Sequence, residues 1–474
     1  MRRTKIIATM GPAVEGAEKV DALVAAGIDV ARLNFSHGSH ATHARFAEWI
    51  RSAAEKHQRP VALLQDIQGP KLRVGVFPDG PIQLEADTVV TLIPGHGAGT
   101  STVIPLDYEY LLEDVSAGEE ILLADGLIRL LVQDVGENSL TARVMLGGEL
   151  SDHKGIAFPD TALRVPAVTD KDREDLEFGR ELGFDYVAAS FVRRAADIEE
   201  VRSLITNGVP VIAKIELALA YENLDDIMSA AAGVMVARGD LGVQLPLQRI
   251  PLIQADILSR ANAAGLISIT ATEMLDSMTN SPRPTRAEVT DVANAVMSGT
   301  DAVMLSGETA VGKYPFRTVE FMDRICREVE GAGLGTSVDF LESHRTFASA
   351  TAKAAVEAAV NLNLKTIAAF TESGATAKLL SKYRPPATII AFTAEPSTYR
   401  QMALYWGVIP QMQERRDSTD LMLASAEKHL EKSGMCEPGE GVVMVAGTPP
   451  NQRASTNLMK LHVIGERTRA SRTR

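Results

Sequence analysis

Two short apolar runs end in charge. Val211–Glu216 (VIAKIE) and Val234–Asp240 (VMVARGD) bracket a helical pattern over Leu217–Ala231. A strand–helix–strand unit of this kind gives parallel neighbouring strands. Alternation puts Ile212, Lys214 and Glu216 on one face, and Val234, Val236, Arg238 and Asp240 on one face of the next strand. Both strands therefore carry ionised groups to their carboxyl ends, where burial is costly unless the charge is paired or bound to a metal. Two readings stand. Glu216 and Asp240 form a hard-cation site, with Lys214 beside it to meet a developing anion. Or Lys214 and Glu216 are a satisfied ion pair at the top of a sheet.

The elements that position these residues repeat along the chain. Lys5–Thr9, Val30–Ser36, Val61–Asp66, Tyr186–Phe191, Ile267–Thr272 and Ala302–Glu308 are further short apolar runs with polar ends. Helical patterns separate them, as in Leu247–Ala264 and Thr285–Ser298, each followed by glycine. Eight strands, each followed by a helix, predict an α/β protein with a (β/α)8 TIM barrel, whose site lies where the carboxyl ends converge. An open doubly wound sheet is the alternative. Between Asp66 and Thr169 the helical pattern lapses. Residues 69–167 hold 12 Gly and 7 Pro, about twice the density elsewhere. Short extended runs at Val89–Ile93, Glu120–Leu123, Ile128–Val132 and Leu140–Met145 predict an inserted all-β domain at the catalytic face, a lid that excludes water. The barrel then comprises 1–68 and 168–340. Residues 341–474 read as a separate open-sheet α/β domain, with strands at Thr366–Thr371, Thr388–Thr393, Val442–Ala446 and Lys460–Ile464.

Composition bounds the function. The 474 residues exceed one hydrophobic core. A net charge of −13 argues against nucleic-acid binding, and the apolar runs are too short for a membrane span or a signal peptide. Two cysteines, Cys326 and Cys436, exclude a disulfide framework and fit a reducing cytoplasm. The basic tail after Gly465 reads as a solvated terminus.

Other motifs are weaker. Gly307–Tyr314 (GETAVGKY) nearly matches the phosphate-loop pattern, but Tyr314 replaces the metal-holding hydroxyl, so it reads as a decoy. His37, His40 and His43 could share a helix face, yet no carboxylate adjoins them in sequence. Thr371–Ala377 (TESGATA) joins a strand to a helix; the hydroxyls of Thr371, Ser373 and Thr376 make either a phosphate cradle or an ordinary cap.

The chain resembles the pyruvate kinase family over essentially its whole length. The matching stretches are ATMGPA, ARLNFSHG, QDIQGPKLR, AKIE, VARGDLGV, SPRPTRAEVTDVANAV and MLSGETAVGKYP, in that order. The resemblance implies phosphoryl transfer from phosphoenolpyruvate to ADP, giving pyruvate and ATP in glycolysis. It implies Mg2+ or Mn2+ on Glu216 and Asp240, with Lys214 stabilising the moving phosphoryl group and Arg32 binding it. Gly239, Asp240 and Thr272 would contact substrate, and Thr272 and Ser306 would lie by the enolate. Asn34, His37, Arg73 and Lys154 would face the nucleotide. It further implies a homotetramer and a carboxyl-terminal regulatory domain, where the strand–TESG–helix cradle predicts a phosphorylated small-molecule effector at Thr371, Ser373 and Thr376.

In well-known members K+ sits by residues matching Asn34, Ser36 and Asp66, with Glu at the position of Lys71. Here the ammonium of Lys71 is expected to replace the ion, so that K+ is not required. Two other classes compete. A metal-dependent lyase or aldolase would bind a pyruvate enolate on the same barrel, but Arg32, Arg73 and a nucleotide-sized lid argue against it. A degenerate metabolite sensor would not need the intact set Arg32, Lys214, Glu216, Asp240 and Thr272.

Overall fold

The computed structural model describes residues 2–161, 163–205, 208–333, 346–449 and 455–466. Eight parallel strands close into a ring in chain order: Lys5–Thr9, Val30–Asn34, Ala62–Asp66, Tyr186–Ala189, Val211–Ile215, Gly233–Ala237, Ile267–Ala271 and Ala302–Leu305. These are the expected barrel strands, not an open sheet. Their residues are almost all buried, as a ring filled by its own side chains and covered by helices on the outside requires.

The strands end earlier than alternation suggested. After Ala237 the chain turns straight into a helix, Arg238–Gln244, so Arg238 and Asp240 lie on a helix and not on a strand face. Likewise Gly307–Ala310 is helical, which removes Glu308 from the strand of Met304. The expected Leu217–Ala231 helix is two helices, Ala218–Glu222 and Leu224–Ala230, meeting at Asn223, whose side-chain amide donates to the Arg193 carbonyl at 2.9 Å. Capping chemistry sets other boundaries. Thr169 and Asp172 form a capping box that starts Asp170–Leu182, and Thr285 and Glu288 do the same for Arg286–Met297.

Between the third and fourth barrel strands the chain builds two antiparallel-rich sheets with their own apolar core around Val90, Leu92, Ile104, Ile121, Leu130 and Val144. The four extended runs read from the sequence are strands here. Ile82–Leu84, Val103–Leu106, Gly148–Leu150 and Ile156–Ala157 join them, each too short to show a period.

The last domain is a five-stranded open sheet ordered Val408–Met412, Thr388–Thr393, Thr366–Phe370, Gly441–Gly447 and Thr456–Val463. Val408–Met412 escaped the sequence reading because Pro410 argues against a strand; it sits at the sheet edge, where proline is tolerated. The junction at 340 and 341 and the basic tail from 467 lie outside the described residues.

This domain covers the amino-terminal ends of the barrel strands. Lys5 Nζ donates to the Val408 carbonyl at 2.8 Å, Tyr186 Oη to the Gln401 carbonyl at 2.7 Å, and Arg400 Nε to Asp185 Oδ1 at 2.8 Å. Asp301, just before the eighth strand, pairs with Lys382 and, at 2.8 Å, with Arg384. Burial pushes the Asp301 carboxyl up, but the two cations outweigh it and hold it below the ordinary value. Asp301→Ala would leave both cations buried without an anion. It is expected to cost about 3–5 kcal/mol in urea unfolding. Because the folded value is depressed, the stabilisation is complete above the ordinary Asp value of about 3.9 and disappears as pH falls below it. The variant should therefore lose the wild-type dependence in that acid window; an unchanged urea midpoint at neutral pH would refute the assignment.

Candidate active site

At the carboxyl end of the ring, residues from several strands meet. Lys214 Nζ lies 2.8 Å from Glu216 Oε1 and 3.2 Å from Asp66 Oδ1, and donates to Ser190 Oγ at 2.7 Å. Arg32 Nε donates to Asp66 Oδ2 at 2.6 Å, and its Nη1 to Thr9 Oγ1 at 3.0 Å. The Phe191 backbone N–H donates to Glu216 Oε2 at 2.6 Å. All four charged groups are buried.

Electrostatics follow from that burial. Desolvation lowers the Lys214 ammonium, but Asp66 and Glu216 outweigh it and raise its pKa. Desolvation also raises Asp66, and there Arg32 and Lys214 win and lower it. Glu216 is different: burial, with Asp240 adding to it, carries the carboxyl up to about 7 against the pull of Lys214. The structure shows the Lys214–Glu216 ion pair. Burial and the nearby Asp240 carboxylate nevertheless disfavour the Glu216 anion, a cost that a cation between Glu216 and Asp240 would relieve.

Glu216, Asp240 and Lys71 line one cleft of about 390 Å3 between the barrel and the root of the inserted domain. Among the described residues, no group of three or more His, Cys, Asp and Glu is arranged to hold a metal. Two carboxylates fit a hard cation that takes its other ligands from substrate and water.

Thr272 and Glu273 follow the seventh strand with φ of 66° and 53°. Two successive left-handed residues, one of them β-branched, store backbone strain of about 1–3 kcal/mol each. Thr272 Oγ1 donates to the Ala271 carbonyl at 2.7 Å and accepts from Gly239 N at 2.8 Å. Ser306 Oγ is buried with no hydrogen-bond partner among the described residues.

Models of two family domains match the chain: pyruvate kinase barrel domain over residues 1–319 and pyruvate kinase alpha/beta domain over residues 349–462. The chain belongs to the pyruvate kinase family. The pyruvate kinase of Sporosarcina psychrophila is 42% identical over 98% of this chain and 81% of its own length. Pyruvate kinase 2 of Synechocystis is 44% identical over 98% and 79%. A crystal structure of a pyruvate kinase from Cryptosporidium parvum superposes with a TM-score of 0.90 at 35% identity, covering 98% of this chain and 96% of that one.

Other expected site residues of this pyruvate kinase family member lie nearby or elsewhere. Asn34 Oδ1 accepts from Ser36 N at 3.1 Å, and His37 is exposed on the turn that follows. Arg73 and Lys154 are on the inserted domain; Arg73 Nη1 donates to the His153 carbonyl at 2.8 Å and Lys154 is exposed. His43 is stacked on Phe35, and His40 is hydrogen-bonded to Asp175 at 2.7 Å, so these two rings are structural. The phosphate-loop look-alike packs as structure: Glu308 turns inward to accept from Ser306 N at 2.7 Å and Leu275 N at 3.1 Å. In the last domain Thr371, Ser373 and Thr376 border a cavity of about 200 Å3, but the Thr376 hydroxyl is engaged by Thr456 Oγ1 at 2.8 Å, with Thr376 buried. Gly374, not a hydroxyl residue, occupies the cap position of Ala375–Lys382, so the ordinary-cap reading fails.

Sequence reasoning missed Ser190 as a partner of Lys214, the Phe191 N–H, and Arg415 and Arg416 at the second cavity. A strand end reading AAS followed by Phe offers no charge to flag.

The inserted domain leaves the barrel at Gly69, where φ is 67° and an added Cβ would meet the Ser190 carbonyl at 3.0 Å and Phe191 Cδ2 at 3.1 Å. Gly69→Ala should therefore push on the backbone that holds Lys214 and Glu216. We expect a stability loss of about 1–2 kcal/mol together with a clear fall in kcat, measured side by side. Full kcat in the folded variant would show that this contact does not position the site.

Proposed function

We propose that this protein transfers the phosphoryl group of phosphoenolpyruvate to ADP, giving pyruvate and ATP, as a glycolytic phosphotransferase of the cytoplasm. The observation that carries the reading is Lys214, buried and held between Asp66 and Glu216 at the mouth of the ring and next to Arg32. Phosphoryl transfer needs positioning and charge neutralisation more than a nucleophile, and this cluster offers both. Lys214 and Arg32 would hold the phosphoryl oxygens, and Asn34, His37, Arg73 and Lys154 the nucleotide. Departure of the phosphoryl group leaves an enolate, which takes a proton at its methylene carbon. Thr272 and Ser306 would face it, with Gly239 and Asp240 completing the substrate site; the unpartnered Ser306 hydroxyl suits a group that bonds to substrate. Glu216 and Asp240 would hold Mg2+ or Mn2+. Bound there, the cation supplies positive charge to the phosphoryl oxygens. The relatives give no support to a lyase or aldolase.

Lys214→Met is expected to lower kcat by several orders of magnitude with metal still bound, because its charge acts mainly in the transition state. Glu216→Ala should weaken Mn2+ binding as well, seen by titration calorimetry. Near-normal kcat for Lys214→Met, or pyruvate release from phosphoenolpyruvate without ADP, would overturn the reading.

We further propose that K+ is dispensable. Lys71 lines the cleft with Glu216 and Asp240, and both oxygens of Asp66 already face cations, which leaves Asn34 and Ser36 a poor site for another. Turnover in a buffer without K+ should equal turnover with it, and Lys71→Glu should create a requirement. Strong stimulation of the parent by K+ alone would disprove this.

A phosphorylated effector at the second cavity is proposed from the uncapped helix at Ala375, the hydroxyls of Thr371 and Ser373, and Arg415 and Arg416 on its wall. A homotetramer would couple this site to the barrel. Ser373 is exposed, so Ser373→Asp should fold normally and abolish activation by sugar phosphates. Undiminished activation would move the effector elsewhere.

A further inference from the structure

Alternation placed Arg238 on the same strand face as Asp240, but of the two only Asp240 lines the cleft. As the first residue of the Arg238–Gln244 helix, Arg238 runs beneath the end of the seventh strand, with its side chain 10% exposed. Its guanidinium is fully engaged. Nη2 donates to the Thr272 carbonyl at 2.6 Å and lies 3.0 Å from Met274 Sδ; Nε donates to the Ala271 carbonyl at 3.3 Å. Nη1 lies 2.6 Å from both oxygens of Asp291 and donates to Gln254 Oε1 at 3.4 Å.

These carbonyls belong to the strained turn. Thr272 and Glu273 hold left-handed backbone, which persists only where the surroundings over-determine it. Two constraints converge on Thr272. Gly239 N fixes its hydroxyl from the site side, and Arg238, the residue before Gly239, fixes its carbonyl from beneath. Asp291, on the helix Arg286–Met297, fixes the guanidinium in turn. A planar fork can bond a carboxylate and two carbonyls at once; an ammonium cannot.

We propose that Arg238, oriented by Asp291, is a positioning residue that holds the Thr272 hydroxyl in its working place. This rests on the reading of Thr272 as facing the enolate. The geometry makes the clamp specific: removing it lets the turn relax toward ordinary backbone and swings the hydroxyl off Gly239 N, while Lys214, Glu216 and Asp66, which it does not touch, stay in place.

The test combines Arg238→Lys, Asp291→Asn and Thr272→Ala singly and in pairs. Arg238→Lys and Asp291→Asn should each lower kcat about tenfold or more, with KM for phosphoenolpyruvate changed less than about threefold. Exchange of pyruvate methyl protons with solvent, which reads enolate protonation and not general loosening, should fall in parallel. Either change added to Thr272→Ala should cause no further loss, because residues acting as one unit are not additive. Losses that multiply, or normal kcat and exchange with only a lower melting temperature, would overturn the inference. Unchanged kcat in Thr272→Ala would instead bring down the reading of Thr272, and the clamp with it. Should Arg238→Lys not fold, Asp291→Asn carries the same comparison, since it keeps the shape of the side chain and removes only its charge.

Discussion

The structure depends on the mutual neutralisation of Arg32, Lys214, Asp66 and Glu216. Burying any of the four charges at this depth without a partner is costly, and removal of one strands another. The cluster draws on the second, third and fifth strands and is braced by Ser190 after the fourth. It therefore exists only when the ring is closed and in register. Folding and site assembly are one event, and the resulting site is rigid before any substrate arrives. Preorganised charge of this kind is what phosphoryl transfer draws upon.

What the sequence revealed was the periodic part. Apolar runs of five residues with polar ends, helices closed by glycine, and the shift to Gly- and Pro-rich composition at residue 69 gave the ring, the insertion and the final open sheet. Lys214 and Glu216 were legible because they sit two apart at the end of a run. Arg238 and Asp240 looked equivalent and were not. Alternation holds only while the chain is extended, and here it stops at Ala237, so one side chain faces the cleft and the other dives under the next strand. Contacts between distant segments were invisible for a different reason. Asp301 and Lys382 are 81 residues apart, and neither has a neighbour that hints at the other.

The two ends of the barrel are used differently. The carboxyl ends of the strands face the cleft, and their polar groups are held ready or unpartnered. The amino-terminal ends are sealed by the last domain through Lys5, Asp185, Tyr186 and Asp301, although Thr4 Oγ1 and Arg384 Nε and Nη1 are buried there without hydrogen-bond partners among the described residues. One face is arranged for chemistry and the other for stability, as expected of this architecture. The helix Ala375–Lys382 runs from the second cavity at its start to Asp301 at its end.

The apolar cores divide the molecule in a way that the domain count does not. The inserted domain has a core to itself, whereas Ile7, Tyr186 and Met304 of the barrel belong to the same continuous cluster as Ala352, Leu380 and Tyr405 of the last domain. A shared core melts together, and a private one can open alone. The barrel and the last domain are therefore joined through a common core, although the last domain also keeps one of its own around Phe370, Phe392 and Leu423. The inserted domain can exchange its amides, or unfold and refold, without opening the shared core, and the barrel cannot shed its terminal domain without exposing its own interior.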